Sequence, residues 1–138
     1  MYLLDTNIVS YWMRGDPTVI DRIKALAPSD LALSTITLAE IWYGIEKSPV
    51  KKIERRVKIE KIVLLLNIYD FDETAAKSYA VIRARLEKKG LVISERDTQI
   101  AAVAVANRLT LVTHNVREFL RIEGLMVEDW AADIHKGQ

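Results

Sequence analysis

Apolar residues fall along this chain in two patterns, short unbroken runs and stripes at helical spacing. Tyr2-Leu3-Leu4 is an unalternating run, as expected of a strand buried on both faces. Residues 8–13 then read as a helix stopped by Arg14-Gly15. Asp16-Pro17 marks a helix start, because an aspartate can cap and proline suits the first helical position. Val19, Ile20, Ile23 and Leu26 supply that helix with one apolar stripe. Pro28-Ser29-Asp30 turns the chain into a second strand at residues 31–34. Thr37 is read as opening the next helix, with Leu38, Ile41, Trp42 and Ile45 facing inward. Ser48-Pro49 closes it and begins a longer helix reaching about Leu65.

The second half repeats the alternation. Residues 67–71 read as a third strand, and Asp72 caps a helix with Ala75, Ala76, Tyr79, Ile82 and Leu86 at helical spacing. Lys88-Lys89-Gly90 stops it. An alanine-rich helix runs from Ser94 to Asn107, residues 109–112 form a fourth strand, and residues 125–127 a weaker fifth. Strands alternating with helices predict an α/β fold, with a mostly parallel sheet of four or five strands flanked by helices. No linker, repeat or low-complexity stretch interrupts it. The expected organisation is one domain over residues 1–132 and a short tail over 133–138.

Composition narrows the chemistry. The 138 residues suit a single domain. There is no cysteine, which removes disulfides, thiolate metal sites and thiol nucleophiles. No signal-peptide pattern precedes Asp5, and the longest apolar runs are too short to cross a bilayer, so a cytoplasmic location without membrane contact is expected. A net charge of +1 excludes a general basic coat, so any polyanion must meet a local patch or a bound cation.

Three acids stand where such a cation could bind. Asp5 directly follows the first buried strand, and open parallel sheets bind ligands outside the carboxyl ends of their strands. Glu40 and Asp97 lie near helix starts that a parallel sheet brings to the same edge. Each acid also has a purely structural reading. Asp5 can cap a helix, Glu40 fits a capping box with Thr37, and Asp97 fits one with Ser94. Taken together, they form the oxygen-rich set that hard Mg²⁺ or Mn²⁺ requires. A further strand end carries Thr113, His114 and Asn115, followed by Glu118. Asn115 and Glu118 could complete the cluster, with Thr113 hydrogen-bonding one of its carboxylates. The structural alternative there is a turn holding Asn115 and a solvated Glu118. With only His114 and His135 available, a metal-free nuclease using paired histidines is disfavoured. Phosphate-loop, dinucleotide and nucleophile-elbow motifs are absent. Residues 47–61 carry Lys47, Lys51, Lys52, Arg55, Arg56, Lys58 and Lys61, which read either as a solvated helix face or as a phosphate-gripping rim.

These residues in this order resemble the PIN-domain ribonucleases, specifically the VapC toxins of bacterial and archaeal toxin–antitoxin pairs. The resemblance covers nearly the whole chain. It rests on Leu3-Leu4-Asp5-Thr6-Asn7, residues 34–40 with Tyr43-Gly44, residues 82–86, Asp97 with Ile100-Ala101-Ala102, residues 111–113, Asn115-Val116-Arg117-Glu118-Phe119 and residues 127–130. It implies that Asp5, Asp97 and Glu40 bind the metal, with Glu118 as a fourth catalytic acid and Thr6, Asn7, Thr113 and Asn115 in support. Many relatives carry another acid where Asn115 stands, which puts a second tightly held ion in doubt. Many also carry Gly-Pro before the aspartate, where Glu95-Arg96 stands here and Glu95 could serve as an outer acid. The resemblance further implies in-line hydrolysis of RNA with Mg²⁺ or Mn²⁺. It implies a VapB-like antitoxin, a homodimer, and DNA contact only through the antitoxin. Whether the RNA is tRNA, ribosomal RNA or mRNA stays open. The rival readings are a PIN-type nuclease of RNA maturation or decay, an inactive PIN-like binding module, and an aspartyl-phosphate enzyme using Asp5.

Overall fold

A computed structural model describes residues 1–131 of the chain. The expected tail at 133–138, His135 within it, and the boundary at 132 lie outside the described residues. The elements run β1 (Tyr2–Leu4), α1 (Thr6–Met13), α2 (Pro17–Lys24), β2 (Leu31–Ser34), α3 (Thr35–Lys47), α4 (Lys52–Leu65), β3 (Asn67–Tyr69), α5 (Glu73–Lys89), α6 (Glu95–Ala106), β4 (Thr110–Val112), α7 (Val116–Phe119) and β5 (Val127–Glu128), with a 3₁₀ turn at Pro28–Asp30. All strand pairs are parallel, in the order β3-β2-β1-β4-β5. This is the expected α/β sheet with helices on both faces.

The buried runs explain that arrangement. β1 lies mid-sheet, and its consecutive leucines point to opposite faces. Leu3 packs into a core with Ala75, Ile82, Leu86, Ile100 and Phe119. Leu4 packs into a second core with Ile8, Val9, Ile41, Ile45 and Ile59. Both leucines are fully buried. The register Leu3↔Leu111 and Leu4↔Val112 fixes the height at which the chain leaves the sheet. The amide of Asp5 then donates to the Val112 carbonyl at 2.8 Å, so Asp5 caps the end of β1 beside β4. From β1 the chain builds β2 and β3 to one side, then returns to build β4 and β5 on the other. The carboxyl ends of β1 and β4 therefore flank the point where strand order reverses, the place where open α/β sheets form crevices.

Local capping differs from expectation at two helices. Asp16 makes no side-chain cap, and Pro17 alone marks the start of α2. α3 begins two residues before Thr37. Its cap is Ser34, whose hydroxyl accepts from the Thr37 amide at 3.0 Å. Three hydroxyl residues, Ser34, Thr35 and Thr37, compete for the cap, and the one at the strand end takes it. Glu40 therefore sits on the second turn of α3 and cannot reach back to the Thr37 amide as a capping box requires. The short helix α7 and the 3₁₀ turn have too few apolar positions to leave a periodic signal.

Gly44 lies inside α3, and a Cβ built there meets nothing within 4 Å. Glycine is disfavoured in a helix interior through backbone entropy. Gly44→Ala is expected to raise unfolding free energy by about 0.5–1 kcal/mol, read as a melting temperature a few degrees higher.

Candidate functional site

The crevice at the β1–β4 ends is built around Asp5. Its extended backbone (φ −69°, ψ 161°) makes it the N-cap of α1, and its Oδ1 accepts from the Thr6 amide at 2.8 Å. Its other oxygen, Oδ2, accepts from the Thr113 hydroxyl at 2.7 Å. Asp5 is only 4% exposed. Burial pushes its carboxyl up to about 6, and the charges of Asp97 and Glu40 push the same way. The Thr113 hydroxyl and the Thr6 amide pull it back. The sequence reading of Asp5 as a cap is therefore right in geometry. A cap alone, however, does not need a carboxylate buried beside two other acids.

Glu40 reaches the crevice from α3. The Thr6 hydroxyl donates to its Oε1 at 2.8 Å and also lies 3.2 Å from the Thr37 hydroxyl. Its Oε2 stands 3.8 Å from the Arg96 guanidinium, which is largely solvent-exposed. That pair contributes little to stability. The sequence named Thr37 only as a capping residue and Arg96 only as the neighbour of Glu95, and it linked neither to this crevice. No periodicity links a side chain to partners more than 30 positions away.

Asp97 occupies the first turn of α6, where its amide donates to the Ser94 hydroxyl at 3.2 Å. Half-burial raises its carboxyl above the ordinary range. Hydrogen bonds from the Ser94 and Asn115 side chains oppose this, and the charges of Glu118 and Glu40 add to it. Asn115 thus acts on Asp97, and its own amide is held by the Thr113 hydroxyl at 3.0 Å. Thr113, fully buried, ties Asp5 to the β4–α7 turn from both sides. Asn7 secures the same turn by accepting from the His114 amide at 3.2 Å. The His114 ring faces Asp129 at 3.0 Å and Tyr11 edge-on. Glu95 stands apart: it lines a hollow of about 480 Å³ beside α5, where the Tyr79 hydroxyl donates to it at 3.4 Å.

The structure therefore brings Asp5, Glu40, Asp97 and Glu118 into one electrostatic neighbourhood, with Thr6, Asn7, Thr113 and Asn115 arranged among them. Among the described residues, no three acidic or histidine side chains form a ready-made cation cage. Mg²⁺ does not call for one, since it keeps several waters and binds through one or two carboxylates. The donors are all hard oxygens, and the most buried of them is held by two donors yet still raised. A divalent cation fits that set, because it offsets the repulsion that these acids otherwise exert on one another.

The supporting hydroxyl can be tested separately from the acids. Thr6→Val keeps the shape of α1 and removes the donor to Glu40. The RNA cleavage that the resemblance implies is expected to fall roughly tenfold through kcat, with the melting temperature within a degree or two. Unchanged kcat would mean that Glu40 needs no such support.

Comparisons with known proteins bear on the family and the fold. The family model described as PIN domain matches residues 2–125. The chain is similar to Ribonuclease VapC2 of Rickettsia felis, 39% identical over 132 residues that cover 94% of this chain and 98% of that protein. It is similar to the tRNA(fMet)-specific endonuclease VapC of Shigella flexneri, 35% identical over 94% of this chain and 98% of that one. Among solved structures, VapBC2 from Rickettsia felis bound to a DNA fragment from its promoter contains a chain that superposes with a TM-score of 0.87. That chain is 38% identical, and the match covers 94% of this chain and 98% of that one.

Proposed function

The chain belongs to the PIN-domain family and, within it, to the VapC ribonucleases, and we propose that the crevice at the β1–β4 ends is where it cuts RNA, as the toxin of a toxin–antitoxin pair. The observation that carries the site assignment is the buried, raised carboxyl of Asp5 beside Asp97 and Glu40. Asp5 and Asp97 would hold Mg²⁺ or Mn²⁺ with Glu40 beside them, and the bound ion would neutralise phosphate charge and acidify a water. The chain's own residues do the rest. Thr113 and the Thr6 amide keep Asp5 ionised and aimed, and the Thr6 hydroxyl holds Glu40. Asn115 orients Asp97. Glu40 and Glu118, both less buried than Asp5, are placed to take the proton released as water attacks in line with the leaving oxygen.

The wider assignment follows the relatives. The tRNA named for the Shigella flexneri relative makes tRNA the first substrate to try. The VapBC2 complex of the Rickettsia felis relative, bound to promoter DNA, supports a VapB-type antitoxin as the partner, and we assign DNA contact to that antitoxin. Ile53, Val57, Leu64 and Leu65, exposed on α4, offer an apolar surface for a protein partner, the antitoxin or a second copy in a homodimer. Among the described residues no helix is long and apolar enough to cross a membrane. We place the enzyme in the cytoplasm, where tRNA is found.

The test is to incubate the purified protein with tRNA and with total RNA, in Mn²⁺ or in EDTA. Cleavage with Mn²⁺ that EDTA abolishes is expected. Cleavage persisting in EDTA would contradict the cation's part. No cleavage of any RNA under either condition would favour an inactive binding module.

A further inference from the structure

A cleft of about 600 Å³ opens from the acidic crevice and runs between α1, α3 and α4. Thr6 and Glu40 line it on the crevice side. Arg14, just past the end of α1, and Lys51, Arg55 and Lys58 of the basic run line it further out, against the single acid Glu54. Thr6 and Arg14 are two helical turns apart, about 12 Å along α1, a reach of a few nucleotides. The basic run of residues 47–61 therefore divides by face. Arg56 is committed to Glu46 at 2.6 Å, and neither it nor Lys47, which lies over the Tyr43 ring at 5.1 Å, lines the cleft, whereas Arg14, over the Tyr11 ring at 5.0 Å, does. Lys58 donates to the Met13 carbonyl at 2.9 Å and so is part of the cleft wall. Lys51 and Arg55 are exposed and have no ion-pair partner among the described residues.

A second observation is independent of charge. Gly44 also lines the cleft, and a Cβ built there meets nothing within 4 Å. Packing therefore gives no reason for glycine in the interior of α3, where it weakens the helix. Its effect is to leave the floor of the cleft open at that point.

We propose that this cleft seats the RNA strand on one side of the cut, with its phosphates gripped by Arg14, Lys51 and Arg55 above the open floor at Gly44. The assignment rests on the nuclease reading and adds where the strand lies. A phosphodiester placed at the acids must continue outward, and this basic cleft continues from them. Phosphate contacts of this kind give affinity and register without reading bases.

Binding tests the cleft without requiring cleavage. A short fluorescein-labelled single-stranded RNA is titrated by anisotropy against the full chain, against a triple variant (Arg14→Ser, Lys51→Ser, Arg55→Ser), and against a charge-matched control (Lys24→Ser, Lys77→Ser, Lys88→Ser). The cleft variant is expected to bind about tenfold more weakly at moderate salt. Its slope of log affinity against log salt should be shallower by about two, and the control should match wild type. Gly44→Leu, which fills the floor with no change of charge, should also weaken binding. Equal affinities for cleft variant and control would overturn the proposal. So would loss of the antitoxin complex with RNA binding intact, which would give the cleft to a protein ligand. RNA bound here but never cut in Mn²⁺ would sink the nuclease reading and leave the cleft assignment standing. RNA cut with unchanged affinity in the cleft variant would do the reverse.

Discussion

Asp5→Asn is expected to abolish RNA cleavage while making the metal-free protein more stable. The loss should be roughly a thousandfold or more, because the variant removes a cation ligand at the most buried point of the site. The gain in stability has a separate origin. Burial raises the Asp5 carboxyl from 3.8 to about 6, a difference worth roughly 3 kcal/mol against the folded state once the group is ionised. Asparagine keeps the acceptor for the Thr6 amide, and the Thr113 hydroxyl can turn to accept from the new side-chain amide. At about pH 8 the variant should therefore be more stable by about 1–3 kcal/mol, measured by urea unfolding in EDTA. An Asp5→Asn protein that loses both activity and stability would show that the carboxylate serves the fold.

The same carboxyl predicts how pH and metal act together. The folded protein holds the Asp5 proton more tightly than the unfolded chain does. Between the unfolded value near 3.8 and the folded value near 6, only the folded state keeps that proton. Stability of the metal-free protein should fall as pH rises through this window, with the whole penalty present above about pH 6. Asp97, raised for the same first reason, acts in the same direction. A divalent cation binds the ionised carboxylates and competes with the proton. Mn²⁺ at a hundredfold excess over its dissociation constant should add about 2.7 kcal/mol near pH 8, and the gain should fade below about pH 6. Thermal scans over pH, with Mn²⁺ and with EDTA, check this. A metal effect of equal size at pH 5 and pH 8 would place the ion on other groups.

Much of the architecture was legible because it rests on local signals. The buried run Tyr2-Leu3-Leu4 marks a central strand, and Asp72 and Gly90 bracket α5 as caps should, with Asp72 accepting from the Ala75 amide and Gly90 in the left-handed region. The position of Asp5 at the carboxyl end of a buried strand also follows from βα alternation, while its place at the reversal of strand order shows only in the fold. What the sequence hides is tertiary. The start of α3 was misplaced because Ser34, Thr35 and Thr37 are equally good caps by composition. Only the strand end decides among them, and the choice moves Glu40 by most of a turn. The bridge from Thr6 to Glu40, the Arg96 contact and the Asn115 hold on Asp97 join segments 18 to 56 residues apart and leave no trace in spacing. The basic run shows the same limit. Its charges are visible in the sequence, but only the helix faces separate Arg56, spent on Glu46, from Arg55, which opens on the cleft.

The central claim, that carboxylates far apart in sequence share one divalent ion, is tested most directly by an anomalous difference map from crystals grown with Mn²⁺ and measured near the manganese absorption edge. A strong peak at direct-ligand distance from both Asp5 and Asp97, with Glu40 or Glu118 reached directly or through water, is the predicted result. Manganese absent from this crevice while bound elsewhere on the chain would contradict it.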